Sequence, residues 1–383
     1  MDYAATTPLD PRVLEAMNPY FTEVYGNASS INAFGLEARE ALEDARRVVA
    51  GLMNAEAKEL VFTGSATEAN NLVLKGFAFR KGKEKAHIAI STIEHDCVLN
   101  SAKWLEKQDF RITYVPVDRY GLLDLGELED ALRSGASLVS IIHANNEIGT
   151  IQTLKEIGEL CHEYGAHFHT DAAQSFGKIP IDVEEMNIDL MTVNAHKIYG
   201  PKGVGALYIK KGVRLEPLLH GGGHEFGLRS GTENVPGIVG FARAVELRRE
   251  EMGPEADRLS ALRDRLIKGT LEIEESYLNG HPVRRLPNIA NFKFSYIEGE
   301  SLVLLLNDEG VAASTGSACS SRSLEPSHVL LALGLKPEEV HGSLRISLGK
   351  YNTEEDVDYI LDVLPGAVEK LRRISPLAKR GRE

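Results

Sequence analysis

Five short polar clusters in this chain carry side chains capable of chemistry, and each follows directly on an apolar run. Gly64-Ser65-Ala66-Thr67-Glu68 opens a helical stretch. Free N–H groups and the helix dipole favour an anion there, although the same residues also read as an ordinary N-cap. Glu94-His95-Asp96 offers an imidazole that could stack on a ring or carry a proton, or that simply shapes a loop. In His143-Ala144-Asn145-Asn146 two adjacent amides could hold a planar ligand or close an Asx turn. Asp171, in His169-Thr170-Asp171-Ala172-Ala173-Gln174, lies next to the core, where a carboxylate needs a cation. A protonated ring nitrogen or a structural Arg would serve. Asn194-Ala195-His196-Lys197 puts an amine at the end of a buried run, where desolvation makes it a Schiff-base nucleophile. Lys202, in a Pro/Gly turn, is expected to be exposed. An acid, an amine, a stacking imidazole and an anion-binding helix start are together what pyridoxal 5'-phosphate needs.

The elements that must position these residues alternate. Apolar runs at 60–63, 87–91, 112–117, 138–143, 167–170, 190–193 and 206–209 predict strands, and 68–79 and 154–164 predict intervening helices. This is an α/β pattern with a mainly parallel sheet, whose ligands bind outside the carboxyl ends of the strands. A charged amphipathic helix over 243–269 leads to a smaller α+β domain with a strand at 289–294 and helices at 301–307 and 353–374. The expected division is a large domain at 15–255 and a small one from 1–14 and 256–383. The basic tail 379–382 is expected to be solvated.

The 383 residues carry a formal net charge of −13, against a nucleic-acid partner. No apolar run is long enough for a membrane span, and MDYAATTPLDP lacks the regions of a signal peptide. The three cysteines, Cys97, Cys161 and Cys319, form no disulfide framework and no CxxC pair, which suggests a reducing, cytoplasmic setting. Cys97 and Cys161 read as packed core thiols. Cys319 stands in the small-residue run Ser314-Thr315-Gly316-Ser317-Ala318-Cys319-Ser320-Ser321, which predicts an exposed loop.

The segments FTGSATEANN, HANNEIGTIQ, DAAQSFGK, AHKIYGPKGVGALY, HGGGHEFGLRSGTEN and STGSACSSRSLEPSHVL extend the pattern over nearly the whole chain. In them the sequence resembles the cysteine desulfurases of the NifS/IscS type, class-V aminotransferases of the pyridoxal-phosphate fold-type I (aspartate aminotransferase-like) architecture. The loop around Cys319 is similar to that of the IscS-like group rather than the SufS-like one. The resemblance implies a seven-stranded sheet in the large domain and the conversion of L-cysteine to L-alanine, with the sulfur held as a persulfide on Cys319. It makes Lys197 the Schiff-base lysine and His95 the stacking residue that helps proton transfer. Asp171 pairs with the ring nitrogen and Gln174 with the ring hydroxyl, while Ala66, Thr67 and His196 hold the phosphate. Asn146 and Arg345 take the substrate carboxylate, with Asn146 also in the cofactor shell. Thr232 reaches the phosphate of a second subunit, which implies a homodimer. An IscU-like iron–sulfur scaffold protein is the implied sulfur acceptor. No metal is expected in the resting enzyme, with Cys319 a transient iron–sulfur ligand. Where the family usually has Ser or Thr, this chain has Asn194, whose amide still offers the phosphate a donor.

Three other readings compete. One is another fold-type I enzyme, such as an aminotransferase or selenocysteine lyase. A second is a metal hydrolase built on His167, His169, His220 and His224. A third is a non-catalytic scaffold that binds through the Cys319 loop.

Overall fold

The computed structural model describes residues 1–315 and 325–376. Seven strands, β1 (Leu60–Thr63), β2 (His87–Ser91), β3 (Arg111–Val115), β4 (Leu138–Ser140), β5 (His167–Asp171), β6 (Leu190–Asn194) and β7 (Gly205–Ile209), form one sheet in the order β1-β7-β6-β5-β4-β2-β3. The pairs from β6 through β5, β4 and β2 to β3 are parallel. Only β7 runs antiparallel to its two neighbours. The fold is the expected α/β one with a mainly parallel seven-stranded sheet.

Two strands end sooner than their apolar runs do. Pro116 has no N–H to give the ladder, so β3 stops at Val115 rather than 117. Beyond Ser140, β4 loses β2 as a neighbour. Residues 141–143 still bond to β5, through Ile141 N to His169 O and His143 N to Asp171 O, both at 3.0 Å. That one-sided tether lets the chain turn out over the sheet end at Asn145.

The helix predicted at 243–269 spans Val235–Thr270. Asn234 caps it by accepting from Gly237 N, and Pro236 sits in its first turn, where an N–H is not needed. Gly240 is required for packing, because a Cβ there would lie 2.6 Å from the Met17 sulfur. The helix buries Val235 to Leu247 against the large sheet's core. It buries Leu259, Leu262 and Leu266 in a second core with Phe292, Leu344 and Ile360.

That second core covers an antiparallel sheet in the order β10 (Ser343–Ser347), β9 (Ile289–Phe294), β8 (Ser276–Asn279). Of its strands only β9 was expected. Strand β10 has a buried Ser or Arg at every second position, Ser343, Arg345 and Ser347, so it lacks the apolar run by which the others are legible. The N-terminal segment bridges the two sheets. Asp2 pairs with Ser347 of β10, and Thr7 N bonds to His196 O at 3.0 Å. No helix among the described residues is long and apolar enough to cross a membrane.

Candidate active site

The carboxyl ends of β1, β2, β4, β5 and β6 open on one cavity of about 430 Å³. At the end of β1, Ser65 caps the helix Ala66–Lys81 by accepting from Glu68 N at 3.1 Å. The first-turn N–H groups of Ala66 and Thr67 have no partner within the helix, and both residues line the cavity. The helix start lies so close to β7 that a Cβ on Gly205 would sit 3.0 Å from Ala66 N.

Asp171, at the end of β5, is buried on the cavity floor. Its oxygens accept from the Asn70 amide at 2.7 Å and from Ala173 N at 2.9 Å, both neutral donors. Gln174 lies on the next turn and donates through Nε2 to Ala4 O at 2.8 Å.

Lys197 follows β6 and reaches the N-terminal segment, donating to the carbonyls of Ala4 and, at 2.8 Å, Ala5. Asn194 accepts from Lys197 N at 3.2 Å, fixing the turn that aims the amine. The amide oxygen of Asn194 is thus committed to the backbone, and its NH2 end is the one suited to an anion. The His196 ring meets Thr6 Oγ1 at 3.1 Å. Burial, helped by Lys197, Lys202 and Lys178, pushes it down to about 4, so this imidazole is neutral at pH 7.

His95 caps the helix Asp96–Glu106, with Nδ1 accepting from Cys97 N at 3.2 Å. That bond assigns the ring proton to Nε2. The two amides after β4 separate in function. Asn145 is a buried turn residue whose side chain is used up by Glu147 N, Ile148 N and Ile93 O. Asn146 alone lines the cavity. Arg345, on β10, is buried and donates to Asn146 O and Asp2 Oδ1, each at 2.9 Å. Its Nε is buried without an acceptor, a donor held ready at the cavity wall.

Ala66, Thr67, His95, Asn146, Asp171, Gln174, Asn194, His196, Lys197 and Arg345 therefore come together. Thr232 does not join them within the chain, lining instead a separate cavity of about 90 Å³ with Gly64 and Arg229. Cys319 lies outside the described residues. Among those residues no three His, Cys, Asp or Glu side chains gather to hold a metal. His169 is committed inside the sheet to Ser140 and Thr192.

Sequence reasoning missed several residues. Cys97 packs against a core cluster as expected, but it also faces the cavity. It is half-buried on the cavity wall, with its sulfur 3.0 Å from His95 Nδ1 and 3.1 Å from Asn70 Nδ2. The available signal was its place in the first turn of a helix that follows a strand end. Glu94 and Glu147 are buried in the wall. Burial raises their carboxyls to about 8 and about 7.

Glu147 makes stability fall with rising pH. Its folded carboxyl keeps its proton to about 7 against 4.5 unfolded, so the folded state binds more protons between those values. The stabilisation is complete below about 4.5 and is lost as pH rises through about 7. Glu147→Gln keeps an acceptor for the Ser327 hydroxyl, which lies 2.6 Å away. The variant is expected to match the parent in thermal unfolding at pH 4.5 and to exceed it at pH 8.5, by on the order of 2 kcal/mol.

The cavity fits pyridoxal phosphate on its own features. It has a buried carboxylate held only by neutral donors for the ring nitrogen, an amine at its mouth, and a helix start with unpartnered N–H groups beside a neutral imidazole.

Comparison with known proteins agrees with this geometry. The family model "Aminotransferase class-V" matches residues 1–360. The chain is 55% identical over 379 residues to cysteine desulfurase IscS 1 of Archaeoglobus fulgidus, covering 99% of each. It is 53% identical to the cysteine desulfurase IscS of Methanosarcina thermophila, covering 99% of this chain and 94% of that one. The solved structure of a NifS-like protein superposes with a TM-score of 0.91 at 41% identity, covering 97% of this chain and 99% of that one.

Proposed function

The chain belongs to the class-V aminotransferases and, among them, to the cysteine desulfurases, and from that premise we propose how its own residues carry the reaction. The protein converts L-cysteine to L-alanine and takes the sulfur onto Cys319. One observation carries the assignment of Cys319 to this cavity: the described residues on both sides of it are tied to the cavity wall. Ser314 exchanges backbone bonds with Arg345, at 3.2 and 2.7 Å. On the other side of it, Ser327 bonds to Glu147, and the His328 ring meets Glu94 O at 2.8 Å.

Lys197 would hold pyridoxal phosphate through its amine, Asp171 its ring nitrogen, Gln174 its ring hydroxyl, and Ala66, Thr67, Asn194 and His196 its phosphate. When bound, this group supplies an aldehyde for amines and a conjugated ring that takes up charge left at the substrate Cα. Arg345 and Asn146 hold the substrate carboxylate, the guanidinium fork matching its two oxygens. Lys197 would be the base that removes the substrate Cα proton. His95, with Nε2 protonated, would lie against the ring and donate to the carbon skeleton. The Cys319 thiolate attacks the substrate sulfur. An S–S bond forms, the Cβ–S bond breaks with its electron pair left on Cβ, and alanine is complete once a proton is added at Cβ and the proton taken from Cα is returned there.

The protein acts as a homodimer in which Thr232 completes the partner's phosphate site. It passes its sulfur to an iron–sulfur scaffold protein in the cytoplasm, and Cys319 can ligate a cluster during that transfer. The reading also assigns residues 15–255 to the cofactor-binding domain, and 1–14 and 256–383 to the domain that carries Cys319.

The test is the visible spectrum of protein loaded with pyridoxal phosphate, followed by addition of L-cysteine. The expected result is a yellow protein whose band shifts and which forms alanine and persulfide sulfur in equal amounts. A protein that stays colourless, or that turns over only when a keto acid is supplied, would sink the reading.

A further inference from the structure

Lys178 has no part in the scheme above, yet its amine bonds to a residue that lines the cofactor cavity. The residue follows a turn through Gly177, whose φ of +67° swings the chain back beneath Gln174. Lys178 Nζ donates to Gln174 Oε1 at 2.9 Å. An amide has one oxygen and one NH2, so this bond decides which way Gln174 faces. Its NH2 end is left for Ala4 O, the same carbonyl that accepts from Lys197. Lys178 and Lys197 also share the wall of a second, smaller cavity of about 20 Å³, room for about one water.

We propose that Lys178 is a positioning residue: it locks the amide of Gln174 with the NH2 end toward the cofactor cavity and sets a second ammonium beside Lys197, so that the Lys197 nitrogen gives up its proton more readily. The inference rests on the functional reading above, since only a Lys197 nitrogen that must lose a proton gains from it.

The surroundings of Lys178 support a charge effect. The charged groups that face it are Lys197, Arg248 and Arg345, all cationic, and Glu255. Arg248 and Glu255 pair at 2.9 Å and Arg345 pairs with Asp2 at 2.9 Å, so these charges largely offset one another and Lys197 is the cation that bears most on Lys178. The remaining titratable groups of the small cavity, Tyr3 and Tyr199, are neutral at pH 7. Burial and its cationic neighbours push Lys178 down to about 7. Two amines that repel each other in a poorly solvated pocket each lose protons at lower pH than either would alone.

The test is a pH titration of the visible band of the pyridoxal-phosphate-loaded protein, without substrate. Lys178→Met removes the charge, and its midpoint is expected to rise by about one pH unit, roughly a tenfold tighter hold on the proton. Lys178→Arg keeps a charge that does not titrate, and its midpoint is expected at or below the parent's. Lys178→Gln carries the neutral arm of the test should the Met variant fail to fold. A parent that takes up the cofactor, with neutral variants that titrate at its midpoint, overturns the proposal alone. So does an equal rise in the neutral variants and in Lys178→Arg, which would mark a packing effect. A parent that takes up no cofactor overturns the functional reading and this inference with it.

Discussion

A Lys197→Ala variant is expected to fold, to lose its covalent hold on pyridoxal phosphate, and to turn over L-cysteine roughly 10⁴-fold more slowly than the parent. The fold should survive because the backbone around Lys197 is held independently of the amine. Asn194 caps the turn, Thr7 N donates to His196 O, and Tyr199 N donates to Thr7 Oγ1 at 2.8 Å. The side chain itself contributes two bonds, to the carbonyls of Ala4 and Ala5, which line the cavity. The chemistry should not survive, because among the described residues no other amine lines the cofactor cavity. Lys178 points into the smaller cavity and is engaged by Gln174. Gel filtration of the loaded variant followed by a visible spectrum reads the cofactor, and alanine release reads the rate. Retained yellow colour with near-parental turnover would move the Schiff base elsewhere.

Cys319→Ala is expected to give the opposite pair of readings. The variant keeps its yellow colour and still responds to L-cysteine in the spectrum, but it forms alanine and sulfide at least roughly 10³-fold more slowly. None of the residues assigned to the cofactor belongs to the segment around position 319, so binding is independent of it. Cys97 makes the control informative. It is a second thiol on the cavity wall, in contact with His95. Cys97→Ser is therefore expected to keep persulfide formation, and alkylation of trapped parent protein should place the extra sulfur on Cys319. Activity that survives Cys319→Ala and disappears in Cys97→Ser would transfer the sulfur-accepting role to Cys97.

Much of the fold was legible because a parallel strand covered on both faces must be a run of apolar residues, and such a run is visible without partners. The strands β1, β2, β5, β6 and β7 follow their apolar runs to within a residue. Strand β10 escaped notice for the same reason in reverse. Its Arg345 and Ser347 are covered by Asp2, Ala4 and Asn146, which are remote in sequence.

The sequence alone determined the positions at which chemistry is possible, because residues after a buried strand emerge at its carboxyl end whatever the rest of the chain does. Lys197, Asp171, His95 and the helix start at Ala66 belong to that class. Tertiary structure decided which neighbours each of them meets. Asn145 and Asn146 are indistinguishable as a pair of letters, yet one closes a turn and the other faces the cavity. Cys97 resembles a core thiol until Asn70 and His95 arrive beside it. Lys178 becomes significant only when Gln174 and Lys197 converge on it. The contacts that decide these cases, Asn145 with Ile93, Cys97 with Asn70 and the cavity wall that Lys178 shares with Lys197, join residues from different elements and have no local signature in sequence.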